Sequence, residues 1–218
     1  MRRKNTFTES EVEHYEKTRY RGLDQRLVHR REEKILEKIF EIIGLGSGTA
    51  LDIPCGYGRF TGLLARQGLT PVCSDYSISM VRRALQRTGE IQSSAGFVAD
   101  AKLRLPVKDS SADILLSMRF FHHIHGPDSR GFILSEFGRV TRRWVVVSFY
   151  QSSLLHRLQR LIRNLFKKTQ RKIKMIDREE FEQALEGSLL RVERTFPLFR
   201  GIHAQRIVLL KNESGGRL

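Results

Sequence analysis

Between Thr49 and Phe60 the sequence reads Thr-Ala-Leu-Asp-Ile-Pro-Cys-Gly-Tyr-Gly-Arg-Phe, and no other stretch constrains the fold as tightly. Ala50 to Ile53 is short and apolar, as a buried strand is. Gly56 and Gly58 follow as a tight turn, and an apolar pattern of helical spacing covers residues 59 to 67. Strand, glycine turn and helix form the unit with which doubly wound sheets bring backbone close to a nucleotide, where a side chain on the turn would block the approach. Asp52 stands near the C-terminal end of the strand.

The rest of the chain extends this unit into an α/β alternation. Thr70–Asp75 reads as a second strand and Ser77–Arg87 as a helix capped by Ser77. Gly96–Asp100 is a third strand, and Ala112–Met118 a fourth, nearly continuously apolar as a central parallel strand is. A helix over 128–141 precedes a fifth strand, Arg143–Tyr150. Asp177–Leu185 is a short helix, and Leu189–Phe196 and Ala204–Lys211 are two final strands closing one edge. The expected fold is a Rossmann-like, seven-stranded, mostly parallel sheet with helices on both faces. Residues 1–47 form an N-terminal helical cap, in which Thr8-Glu9-Ser10-Glu11 starts a helix through Tyr15 and Tyr20. A second helical pattern there runs through Leu27, Ile35, Leu36, Ile39, Phe40 and Ile43. The core covers 48–150, a basic lid or substrate segment 151–187, and the last strands and a frayed tail 188–218.

Asp52, Asp75 and Asp100 stand at the ends of three successive strands, where open α/β sheets bind their ligands. A carboxylate after the second strand suits a ribose diol, because it accepts two hydroxyl hydrogen bonds. An acid after the third suits an adenine amino group, and Asp52 can orient an ammonium group or the turn itself. A dinucleotide fingerprint needs a third glycine at position 61, which is Thr61, and no Walker lysine follows the turn. The site reads as one for a nucleoside without phosphates and with a cationic centre, a description S-adenosylmethionine fits.

Four stretches in order then carry a resemblance. They are Leu51–Phe60, Asp75-Tyr76-Ser77-Ile78-Ser79-Met80, Ala99-Asp100-Ala101 with Leu105-Pro106-Val107, and Asp113–Ile124 with its paired His122 and His123. The chain resembles the class I S-adenosylmethionine-dependent methyltransferases, the broad group that includes the ubiquinone-biosynthesis enzymes. The resemblance covers 48–150 well and the last two strands by order only. It implies that Asp75 binds the ribose with Tyr76 beside it, and that Asp100 and Ala101 bind the adenine. It also implies that Met80 packs on the adenine face, that the Gly56–Gly58 turn with Asp52 holds the methionine part, and that Met118 borders the pocket. Pro54 stands where the family usually has glycine. In-line transfer requires collinear nucleophile, methyl carbon and sulfur, with water excluded. His123 and His122 follow the fourth strand and are candidates to take a proton or hold the acceptor, with capping the strand and lining the cofactor pocket as their competing role; His125 is a further candidate. Arg119 is a candidate for an anionic substrate group, and Tyr15 and Tyr20 for closing over the cofactor; core packing is the competing role for both tyrosines.

The formal charge of +15 favours an anionic partner. Within Ser153–Lys174, apolar residues 154, 155, 158, 161, 162, 165 and 166 make one stripe, and no acid interrupts eight Arg and Lys residues. A basic amphipathic helix with this pattern lies on an anionic membrane surface, contacts nucleic acid, or packs as a lid with a solvated face. The expected location is cytoplasmic, with peripheral membrane contact. The expected acceptor is a small or lipid-like molecule; an RNA methyltransferase and a non-catalytic interaction protein on the same fold are the alternatives. Cys55 and Cys73 match no zinc spacing and read as a reduced, half-buried pair; no metal is expected.

Overall fold

The computed structural model describes residues 7–19, 22–88, 95–151, 175–199 and 203–216. Tyr20 and the basic segment 153–174 lie outside these residues.

Seven strands form one sheet in the order β3-β2-β1-β4-β5-β7-β6. They are β1 (Gly48–Asp52), β2 (Leu69–Asp75), β3 (Ala95–Val98), β4 (Ala112–Ser117), β5 (Thr141–Tyr150), β6 (Leu190–Pro197) and β7 (Gln205–Asn212). The pairs from β3 to β5 are parallel. β7 runs antiparallel between β5 and β6. The strand order reverses at β1, which puts the glycine turn beside the β1/β4 switch point, where a ligand crevice opens in such sheets.

Alternation along β1 divides the core. Ala50 faces a layer with Leu36, Ile39 and Phe40 of α2 (Leu23–Ile43) and Leu63 and Leu64 of α3 (Thr61–Arg66). Leu51 faces the other layer, with Leu134 and Phe137 of α5 (Pro127–Val140) and Phe181 of α6 (Arg178–Leu185). Neighbouring side chains on a strand point to opposite faces, so a near-continuous apolar run buries both. α2 ends at Gly44 in the left-handed conformation, whose N–H caps the Phe40 carbonyl. Asp177 caps α6 by accepting from the Glu180 N–H at 2.8 Å.

Several local readings shift. The helix after the turn begins at Thr61, because Gly56 to Phe60 remain in turns. β3 ends at Val98, so Asp100 stands in the following loop. Ser77 precedes α4 (Ile78–Thr88), but its hydroxyl makes no hydrogen bond among the described residues; its N–H donates to Asp75 instead. Cys55 and Cys73 are free and fully buried against Ala84 of α4. The N-terminal cap does carry its reciprocal box: Thr8 N–H donates to Glu11 Oε2 at 2.7 Å, and Glu11 N–H to Thr8 Oγ1 at 3.3 Å. α1 (Glu9–Arg19) thus starts where the sequence placed it. Among the described residues, no helix is long and apolar enough to cross a membrane.

Candidate active site

The two glycines of the turn do different work. Gly56 has φ +54°, and a Cβ built on it meets no atom within 4 Å, so the space above it is open. Gly58 has φ +80°, and a Cβ there would come 2.7 Å from the Ala84 Cα, so glycine lets the turn close onto α4. The Ile53–Pro54 peptide is cis. Asp75 fixes the turn from the end of β2: Oδ2 accepts the Gly56 N–H at 3.0 Å, while Oδ1 accepts the Ser77 N–H at 3.0 Å. Burial raises its carboxyl pKa, and these two N–H groups oppose the shift. Each Asp75 oxygen keeps lone-pair capacity for a diol.

Asp52 is buried at the end of β1, and its Oδ2 has no hydrogen-bond partner among the described residues. Burial pushes its carboxyl well above the ordinary range, with Cys73 adding to the effect and Arg59 opposing it. A buried, unpartnered carboxyl beside an open glycine turn fits a ligand that brings a cationic donor. In the loop after β3, Asp100 Oδ1 accepts the Lys102 N–H at 3.0 Å, and Ala101 is buried. Met80 is buried in a cluster with Val12, Tyr57 and Tyr15, so α1 lies over this end of the crevice. The Tyr15 and Tyr57 rings meet edge to face at 6.1 Å. Glu16 of α1 pairs with Arg83 at 2.7 Å and with Arg87, and Glu9 with Arg82 at 3.3 Å. Tyr76 is half-buried directly after β2, and Met118 is buried after β4.

Past the switch point, His122 and His123 lie in a short 3-10 turn, Phe121–His123, after β4. Their rings are 3.9 Å apart, and His122 stands edge-on to Tyr150 at 5.1 Å. Tyr150 ends β5 and lies 6.1 Å from the ring of His203. His203 Nδ1 accepts the Gln205 N–H at 3.1 Å. Tyr150 and His203 were not singled out from the sequence; β5 and β7 bring them to this edge because Tyr150 pairs with Gln205.

A buried carboxylate joins the two halves. Glu32 of α2 is fully buried. Its Oε1 accepts from Arg119 Nε at 2.8 Å and Gln205 Nε2 at 2.6 Å, and its Oε2 from Arg59. Burial alone would raise the Glu32 carboxyl; Arg59, Arg119 and the hydrogen bonds outweigh it and hold the carboxyl below its ordinary value. Arg119 has φ +57°, its N–H donates to Ser148 Oγ at 2.7 Å, and its guanidinium is tied to Glu32. The residue expected to receive a substrate anion is therefore also part of the frame. Glu32 had left a signal: it sits on the same helix stripe as Val28, Ile35, Leu36 and Ile39, an acid in an otherwise apolar row.

Among the described residues, no three His, Cys, Asp or Glu side chains are grouped to hold a metal.

Residues 51–149 match the family described as a methyltransferase domain. No curated protein is matched by sequence. Among solved structures, the chain is similar to magnesium protoporphyrin IX methyltransferase from Synechocystis with bound S-adenosylhomocysteine (TM-score 0.71, 18% identity, 88% of each chain covered). It is also similar to a Pyrococcus horikoshii protein (0.69, 19%, 92% of this chain and 98% of that). A third likeness is to an S-adenosylmethionine-dependent methyltransferase from Aquifex aeolicus (0.62, 16%, 95% and 100%). Sheet order and these likenesses together define the Rossmann-like fold that such methyltransferases share. Residues 51–149 are thus matched as a methyltransferase domain, on a fold the chain shares with the methyltransferases named above.

Proposed function

We propose that the protein methylates a small-molecule or lipid-like acceptor by in-line displacement, and that residues 153–174 bring it to an anionic membrane surface. S-adenosylmethionine, when bound, would supply an activated methyl group on a sulfonium. The chain supplies position and exclusion of water. Asp75 receives the ribose hydroxyls, with Tyr76 beside it. Asp100 and Ala101 receive the adenine, with Met80 against its face. The open turn at Gly56 and Gly58 makes room for the methionine part, Asp52 orients its ammonium group, and Met118 borders the pocket. Tyr15, carried by α1, closes the adenine end, and Tyr20 is a further candidate for closing over the cofactor. On the acceptor side, His123 takes a proton at a ring nitrogen when the nucleophile carries one, or holds the acceptor in line. His122 backs it, and Arg119 contributes positive charge at the same edge.

The observation that carries the donor assignment is the Gly56 turn, held by Asp75 and set beside the unpartnered Asp52 Oδ2. The acceptor reading is supported by the ring-lined edge of His122, His123, Tyr150 and His203, which offers flat ring faces together with imidazole and phenol groups to hold an acceptor. The test incubates the protein with tritium-labelled S-adenosylmethionine and a total cell extract, then separates lipid, small-molecule and RNA fractions. Label in the lipid or small-molecule fraction, lost in Asp75→Ala, is expected. Label confined to RNA would overturn the acceptor class.

A further inference from the structure

The sheet fixes which way α2 points. Its C-terminal end passes through Gly44 to Gly48, at the amino edge of β1. Glu32 meets Arg59 after β1, Arg119 after β4 and Gln205 at the first position of β7, so this part of the helix stands over the carboxyl edge. Residues 23–31 continue outward from there. At 1.5 Å per residue they extend about 14 Å past Glu32, on the side where donor and acceptor meet.

Along this projecting end the solvent-facing row changes character. Positions 23, 27, 30 and 34 share one face by helical spacing, and they are Leu23, Leu27, Arg30 and Lys34. Leu27 is 58% exposed and Leu23, nearest the tip, 83%. Arg30, Arg31 and Lys34 are exposed behind them, and Arg31 also donates from Nε to the Leu198 carbonyl at 3.0 Å. Val28, on the other side of the same turn, packs on the core. Two leucines on consecutive turns therefore stay outside although the helix has a core to bury them in. Leucines at a tip with cations one to three turns behind match the layering of a bilayer interface. The apolar groups enter the acyl boundary while Arg and Lys stay at the phosphates. The net charge of the chain and the acid-free run 153–174 have the matching sign.

We infer that the exposed N-terminal face of α2, with Leu23 and Leu27 at its tip and Arg30 and Lys34 behind, inserts into the surface of an anionic membrane. The insertion sets the ring-lined acceptor edge against the bilayer. This deepens the lipid-like acceptor reading and rests on it. A lipid acceptor then reaches the histidine edge without leaving the interface. The leucines provide the apolar part of the attachment, and the cations provide a salt-sensitive part.

Vesicle sedimentation tests it, using phosphatidylcholine mixed with phosphatidylglycerol against pure phosphatidylcholine. The full chain is expected to sediment with the anionic vesicles and not with the neutral ones. L23E/L27E is expected to weaken this at least about tenfold, because both apolar side chains leave the acyl boundary. R30E/K34E is expected to weaken it less, and mostly at low salt. All variants should keep wild-type S-adenosylhomocysteine affinity by calorimetry, which also verifies that they fold. The inference falls if the wild type ignores anionic vesicles, or if L23E/L27E sediments as the wild type while R160E/R163E does not. It also falls if light scattering shows a dimer that L23E/L27E abolishes, since a second copy would then cover the leucines. A wild type that fails to bind S-adenosylhomocysteine would instead strike the methyltransferase reading, whatever the vesicles show.

Discussion

The two sides of the crevice are built on different length scales. On the proposed donor side, Asp75 holds the turn at Gly56 across 19 positions of chain, through one crossover between adjacent parallel strands. On the proposed acceptor side, Glu32 and Gln205 meet across 173 positions, and Arg119 reaches Glu32 from a third element. The donor side uses backbone N–H groups and missing side chains, which specify a ligand by shape and nearly free of context. The acceptor side uses long side chains and rings delivered by four separate elements. A change to one of those elements re-aims the wall without touching the turn, so one fold can keep its donor and alter its acceptor.

The comparison is broken most severely at its joint. Glu32→Gln leaves the Arg59 and Arg119 guanidiniums facing one neutral amide, and should cost about 3–5 kcal/mol of stability in denaturant unfolding. A loss under about 1 kcal/mol would mean that the halves stand without it. Asp75→Ala removes both the turn's anchor and the proposed ribose acceptor. It should weaken S-adenosylhomocysteine binding about a hundredfold by calorimetry, some 3 kcal/mol, with little loss of stability. Unchanged affinity would take the donor assignment away from this turn.

Asp52 sharpens the contrast through pH. Its folded pKa is raised by burial, so the stability it contributes is whole below the unfolded carboxylate value of about 4 and falls as pH rises toward the folded pKa. Asp52→Asn should therefore raise the melting temperature at pH 8 relative to wild type and leave it nearly unchanged at pH 4. A cationic ligand should also drive proton release from Asp52 on binding, read by calorimetry in buffers of different ionisation enthalpy. The smallest effect belongs to α1, which is held by Val12, Tyr15 and ion pairs. Glu16→Gln should cost about 1 kcal/mol or less and speed hydrogen exchange of α1 amides, an effect that high salt reproduces in the wild type.

These differences also explain what could be read in advance. The donor turn was legible because each requirement falls on one residue type within a short window: glycine for the left-handed turn, an acid at a strand end, apolar runs for strands buried on both faces. Tyr150, His203 and Gln205 carried no such mark, since each is ordinary in its own neighbourhood and acquires a role only when β5 and β7 pair. Glu32 is intermediate, visible as an acid in an apolar helix row but without any sign of its partners. Arg119 was read as a side chain for a substrate anion; the Glu32 ion pair makes it a strut as well.

By itself, the sequence determined the strand–turn–helix unit, the alternation that builds a parallel sheet, the acids that stand at its carboxyl edge, and hence the expected methyl donor. Local physics suffices there, because backbone conformation and hydrophobic period act within a few residues. Only the tertiary structure decided which charges share the interior with Glu32, which rings face one another past the switch point, and which leucines of α2 remain outside. Those depend on distant segments arriving at one place, where burial sets a charge's partners and exposure leaves an apolar side chain without any.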